Sequence, residues 1–134
     1  MILGVGTDIV HIDAFEAQLD DRASVFVQET FTQGERQDSD DRAGQRPGRH
    51  LAARFAAKEA FIKAWAGARR GMAPSLAQVD MRQIEVVCDP YGRPGLKLHG
   101  EVQQAFGRLG SCGVHLSLSH DGPFAVAFVV VEQL

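Results

Sequence analysis

Two acids and a lysine are the residues whose types and spacing offer chemistry. Glu59 and Lys63 stand four apart in Arg54-Phe-Ala-Ala-Lys58-Glu59-Ala-Phe-Ile-Lys63, and Asp8 interrupts the apolar Gly4-Val-Gly-Thr-Asp8-Ile-Val. At 3.6 residues per helical turn, Arg54 and Lys58 share one face, and Glu59 and Lys63 share the adjoining one. Read plainly, Glu59 and Lys63 are an i,i+4 pair worth about 0.2–0.5 kcal/mol. Asp8 needs a partner, because a carboxylate buried alone in an apolar strand is unstable. That partner is either an Arg or Lys elsewhere, or a metal ion that Asp8 shares with Glu59. Two carboxylates suit Mg²⁺, which takes one or two protein carboxylates and completes its shell with water and substrate phosphates. Lys63 beside such an ion would be placed to meet a phosphate.

A second polar set lies near the C-terminus. In Val114-His115-Leu-Ser117-Leu-Ser119, the alternation puts His115, Ser117 and Ser119 on one face of a strand, and His120 follows. Serine with histidine suggests a hydrolase, but the chain has no GxSxG elbow and no acid placed to orient either histidine. A half-exposed antiparallel strand has the same alternation. Cys88 and Cys112 form no CxxC pair, and the histidines lack zinc-ligand spacing. Two lone cysteines fit a reducing cytoplasm.

These groups need elements to hold them. Ile2 to Ile12 reads as a strand, in which Gly4 and Gly6 would let another backbone or a ligand come close on the face of Asp8. Ala14 to Phe31 reads as one helix or two short ones. Thr32 to Gly48, with Gly34, Gly44, Pro47 and Gly48, reads as a mobile surface loop. His50 to Ala66 is the clearest helix, anchored by Leu51, Phe55, Ile62 and Trp65 and ended by Gly67. Ile84–Cys88 and Gly95–His99 flank an Asp89-Pro90-Tyr91-Gly92 turn, and Val102–Leu109 reads as a short helix. Val114–Ser119 and Phe124–Glu132 form a last strand pair. Hairpins with helices between them predict an α+β domain, a mostly antiparallel sheet packed against a long helix.

The chain has 134 residues, which fits a single domain over 1–134. A net charge of −3 speaks against a nucleic-acid binder, and no apolar run approaches the length of a membrane span. The charge is unevenly spread. Nine acids lie between Asp13 and Asp41, opposed by Arg22 and Arg36; Arg42 to Arg70 then carries eight of the 14 Lys and Arg against the single acid Glu59. The basic segment reads either as a solvated helix face or as a site for an anionic ligand or an acidic partner.

Taken together, Gly4-Val-Gly-Thr-Asp8, the Arg54–Trp65 stretch fifty residues on, Asp89-Pro-Tyr-Gly92-Arg93-Pro94 and the His115 strand resemble the holo-acyl-carrier-protein synthase family, short single-domain 4′-phosphopantetheinyl transferases. The resemblance implies a homotrimer with sites between chains. It implies transfer of the 4′-phosphopantetheine arm of coenzyme A to a serine of apo-acyl carrier protein, or a carrier domain of a fatty-acid or polyketide synthase, releasing adenosine 3′,5′-bisphosphate. By position, Asp8 and Glu59 match the family's magnesium ligands and Lys63 its phosphate contact. Arg54, Ser117, Ser119 and His115 match coenzyme A contacts, and Gly92, Arg93 and Pro94 a turn of the nucleotide pocket. The first helix differs: many members are basic there, whereas this chain has Asp13, Glu16, Asp20 and Asp21 with only Arg22. A coenzyme A or nucleotide-binding module without catalysis, and a Mg²⁺-dependent phosphohydrolase, are the rival readings.

Overall fold

The computed structural model describes residues 1–21, 24–41 and 47–134. Its elements run β1 (Ile2–His11), α1 (Ile12–Leu19), α2 (Phe26–Thr30), α3 (Gln33–Asp41), α4 (Pro47–Ala68), a 3-10 turn (Met81–Gln83), β2 (Ile84–Cys88), β3 (Pro94–Leu98), α5 (Gly100–Gly107), β4 (Cys112–Asp121) and β5 (Phe124–Gln133). β5 lies between β1 and β4 in an antiparallel three-stranded sheet, and β2 and β3 form a separate antiparallel hairpin. The expected α+β architecture is present, divided between two sheets.

Register assigns each strand's residues to a face. Gly4, Gly6, Asp8 and Val10 of β1 align with Val131, Val129, Ala127 and Ala125 of β5, and these with Val114, Leu116, Leu118 and His120 of β4. That face packs on α4. The approach is close because a Cβ at Gly4 would run into the Ala64 carbonyl, and one at Gly6 into the Ala60 carbonyl. Alanines 52, 53, 56, 57, 60 and 64 are all buried, so α4 meets the sheet with small side chains. It is a backbone that the two glycines admit. The opposite face carries Val5, Thr7 and Ile9 beside Val130, Phe128 and Val126, then His115, Ser117 and Ser119. Val5, Ile9, Phe124 and Phe128 there are exposed.

The segment expected to be a loop is in part a helix. Thr32 and Glu35 form a capping box at the start of α3: the Glu35 amide donates to Thr32 Oγ1 at 3.1 Å, and the Thr32 amide to Glu35 Oε1 at 3.0 Å. The buried Glu35 and Ser39 then hold the helix down, which its polar composition conceals. Residues 42–46 of that expected loop lie outside the described residues, and Pro47 and Gly48 belong to α4. The stretch Ala14–Phe31 resolves into the two-helix alternative. Phe15, Phe31 and Phe55 draw α1, the end of α2 and α4 together, with ring centroids 6.2 Å apart for Phe15–Phe31 and 5.6 Å for Phe15–Phe55.

Candidate functional site

Asp8 and Glu59 are brought to the same place by the glycine-mediated contact of β1 with α4. Lys63, one turn beyond Glu59, reaches across rather than back along its helix. Its ammonium donates to Asp8 Oδ1 and to the Thr7 carbonyl, each at 3.0 Å. The plain partner expected for Asp8 is therefore Lys63. Burial pushes the Glu59 carboxyl above its ordinary range, the negative charge of Asp8 pushes it further, and Lys63 opposes both. Two carboxylates and one ammonium thus share a half-open site. A groove runs from it between β1, α1 and α4, lined by Asp8, Val10, His11, Phe15, Phe55 and Glu59.

Arg54 and Lys58, expected as a cationic stripe, are each paired within the chain. Both are buried. Lys58 donates to Glu35 at 2.7 Å, to the Met81 carbonyl at 2.8 Å and to the Ile84 carbonyl, which accounts for all three of its protons. Desolvation lowers its proton affinity, against the pull of Glu35. Glu35 also accepts the Val86 amide at 2.9 Å, so the pair ties α3, α4 and β2 together. Arg54 pairs with Asp38 of α3 and donates to the His50 carbonyl at 3.2 Å. At these two positions the basic stretch is buried and paired, not a solvated face.

A second groove lies between α4, the β2–β3 turn and the end of β4, lined by His50, Arg54, Cys88, Gly92, Pro94 and His120. Asp89 shapes its turn, accepting the Tyr91 amide at 2.9 Å, the Arg93 amide at 2.8 Å and Arg93 Nε at 2.8 Å. Gly92 takes the positive φ of 82° that the turn requires. Arg93 itself is exposed, its guanidinium 4.9 Å from the centre of the Tyr91 ring. Arg54, Gly92 and Pro94 therefore line one groove. His50, Cys88 and His120 are further members, and Asp38 holds the Arg54 guanidinium. His50 precedes Arg54 by four residues, a helical-face signal that was there to be used; Asp38 and Cys88 gave none.

His115, Ser117 and Ser119 lie on the exposed face of the sheet, away from Asp8, and within this chain reach neither groove. His115 pairs with Glu132 of β5 at 2.8 Å. Among the described residues no three His, Cys, Asp or Glu side chains gather as a metal-ligand set, and no helix is long and apolar enough to cross a membrane.

Comparison with known proteins identifies the family. Residues 4–129 match the 4′-phosphopantetheinyl transferase superfamily. A holo-[acyl-carrier-protein] synthase of Mycobacterium sp. (strain KMS) is 46% identical over 132 residues, covering 98% of each chain. Among solved structures, an ACPS–CoA complex from Chronobacterium ammoniagenes superposes with a TM-score of 0.89 at 39% identity, covering 98% of this chain and 97% of that one. The acyl carrier protein synthase of Mycobacterium tuberculosis does so with a TM-score of 0.77 at 41% identity, covering 98% of each. With two-thirds of the carboxylate–lysine cluster built on α4 and the third on the glycine-bearing β1, the chain belongs to the holo-acyl-carrier-protein synthase family of the 4′-phosphopantetheinyl transferase superfamily.

Proposed function

We propose that this chain transfers the 4′-phosphopantetheine arm of coenzyme A to a serine of apo-acyl carrier protein, or of a carrier domain in a fatty-acid or polyketide synthase, at the Asp8–Glu59–Lys63 cluster. The observation that carries this reading is the convergence of Asp8 and Glu59 from β1 and α4 onto one site with Lys63. The donor set suits Mg²⁺: two hard carboxylates, one of them held back from ionising by burial and by the other, are stabilised by a cation that takes its remaining ligands from water and phosphate. Mg²⁺ bound there would neutralise charge that develops on the pyrophosphate as the leaving group departs.

The chain's own groups do the rest. Asp8 and Glu59 would hold the cation, and Lys63 would donate to phosphate oxygens. The serine oxygen forms a bond to the β-phosphorus of coenzyme A as the bond from that phosphorus to the bridging oxygen breaks. Adenosine 3′,5′-bisphosphate leaves with the electron pair. The serine proton passes to a base, and Glu59 is a carboxylate this chain places at the site for that task. The second groove, with Arg54 at its base and Gly92, Arg93 and Pro94 in its turn, fits the nucleotide end of coenzyme A, where an anion would compete with Asp38 for the Arg54 guanidinium.

The exposed face of the sheet supports a homotrimer. Val5, Ile9, Phe124 and Phe128 form an apolar surface that a neighbouring copy would cover, and His115, Ser117 and Ser119 on that face would then serve coenzyme A at a neighbour's site. A coenzyme A substrate and the free cysteines Cys88 and Cys112 suit the cytoplasm.

One incubation tests the assignment. Coenzyme A, Mg²⁺ and an apo-carrier are mixed with the protein, and the carrier is weighed by mass spectrometry. A gain equal to the phosphopantetheine arm, lost on chelation and in Asp8→Ala, is the expected result. Binding of coenzyme A with an unmodified carrier identifies a binding module instead. Release of phosphopantetheine in the absence of carrier identifies a phosphohydrolase.

A further inference from the structure

Lys63 is placed where the cation is wanted, before any cation is bound. Its ammonium lies on Asp8 Oδ1 and the Thr7 carbonyl, both at 3.0 Å. The two partners differ in freedom: the Asp8 side chain is 17% exposed and the Lys63 side chain 54%. Asp8 is fixed on a strand packed against α4, whereas Lys63 has a four-carbon stem that extends into solvent. If the pair opens, Lys63 is the member that moves. Thr7 belongs to β1, the outer strand of its sheet, so its carbonyl can accept water in exchange for the ammonium.

We propose that Lys63 is a built-in counter-ion for the Asp8–Glu59 pair in the resting protein, and that a divalent cation displaces it, releasing its ammonium to donate to the substrate's phosphate oxygens. The inference rests on the reading of Asp8 and Glu59 as the magnesium pair and adds an order of events to it. Without Lys63 the site would hold two carboxylates and no cation, a strongly repulsive arrangement at neutral pH. With Lys63 and a divalent ion both on Asp8, two cations would compete for one carboxylate that backbone packing cannot move. Two of the three ammonium protons are committed to Asp8 and Thr7, so full donation to phosphate requires that Lys63 leave those acceptors, and the same side chain serves the two tasks in succession. A lysine that only contacts phosphate would leave the metal affinity of the coenzyme A-free protein unchanged, and this is where the two accounts part.

The test is Mn²⁺ binding to the chelator-stripped, coenzyme A-free protein, read by the loss of the free-ion electron paramagnetic resonance signal. Wild type is compared with Lys63→Met, Lys63→Arg and Asp8→Asn. Removing a competing, half-exposed ion pair is expected to tighten Mn²⁺ binding by about fivefold in Lys63→Met, the equivalent of about 1 kcal/mol. Lys63→Arg, which keeps the competing charge, should stay near wild type, and Asp8→Asn should lose the site. Unchanged or weaker binding in Lys63→Met, with binding still lost in Asp8→Asn, overturns the counter-ion role and leaves the magnesium pair standing. Undiminished binding in Asp8→Asn overturns the magnesium assignment of Asp8 as well. Should the methionine variant not fold by circular dichroism, Lys63→Gln supplies the same comparison.

Discussion

Lys58 Nζ and Glu35 Oε1 meet at 2.7 Å with neither side chain exposed to solvent. The pair joins the acidic stretch of the sequence to the basic one, and it is not alone in doing so. Arg54 is held by Asp38, and the Glu16 carboxylate lies against Gly48 at the start of α4, where free backbone amides attract negative charge. At Glu35 and Asp38 the acidic block is therefore folded onto the basic one. Lys63 follows the same pattern with Asp8 but at the surface, where the partner can be exchanged. Position along α4 separates structure from chemistry: the buried Lys58 is committed to the fold, and the exposed Lys63 remains available.

The commitment of Lys58 predicts a large stability change. Lys58→Met leaves the Glu35 carboxylate buried without its cation, together with two carbonyls that lose their donor. The expected loss is about 3–5 kcal/mol in urea denaturation. The double variant Lys58→Met/Glu35→Leu should recover much of it, since the stranded charge is then gone. A single variant as stable as wild type would show that the pair does not hold α3 and β2 in place.

Glu59 makes the opposite prediction. Burial and Asp8 raise its proton affinity, so the folded state binds protons more readily there than the unfolded chain. Its contribution is therefore fully present below the ordinary carboxyl range and is lost as pH rises through the raised folded value, which makes the ionised form a liability at neutral pH. Glu59→Gln should raise the melting temperature at pH 7 in the absence of metal, with little effect at pH 4. Transfer activity should fall by a factor of about 100 or more, because the variant loses a charge that acts on the reacting groups. A melting temperature that falls at pH 7 would contradict the repulsion between Glu59 and Asp8.

Legibility in the sequence followed the physics of each element. β1, α4 and the hairpins were readable because alternation, alanine-rich composition and Asp-Pro-Tyr-Gly are local signals. Asp8, Glu59 and Lys63 were readable because an acid in an apolar strand and a helical i,i+4 pair are both departures from background. α3 was not readable: Gly34 and seven Asp, Glu, Gln or Ser residues suggest a loop, and its anchor is Glu35 reaching Lys58, 23 residues away. Composition also could not tell a buried arginine from a solvated one, so the burial of Arg54 had to come from the fold. The face of His115 was correctly separated from that of Leu116, but which face meets α4 depends on Gly4 and Gly6, across two strand registers.

His120 predicts a pH dependence of stability. It lies on the face that packs toward α4, at the second groove, with its Nε2 3.3 Å from the Arg49 carbonyl. Burial lowers its proton affinity, the Arg49 carbonyl counters this, and the charges of Arg49 and Arg54 lower it further. The unfolded chain then binds a proton at His120 more readily than the folded one, so this stability is present above the ordinary imidazole value of about 6.5 and is lost as pH falls through the lowered folded value. Wild type should lose stability on going from pH 7 to pH 5 more steeply than His120→Gln. Parallel profiles would remove His120 as the cause.

The exposed sheet face gives the test of assembly. Phe128 lies at its centre on β5, level with Thr7 on one side and Ser117 on the other, and is 46% exposed in the single chain. A phenylalanine between two hydroxyl residues on an open sheet is well placed as an anchor for a neighbouring copy. Phe128→Asp puts a carboxylate at that point, which costs little where water reaches it and is strongly unfavourable in a closed interface. The variant should keep its circular dichroism spectrum and sediment as a monomer where wild type sediments as a trimer. It should also lose transfer activity although Asp8, Glu59 and Lys63 are untouched, because His115, Ser117 and Ser119 would no longer face a neighbour's coenzyme A. A monomeric Phe128→Asp with full activity would place the whole site within one chain and remove those three residues from it.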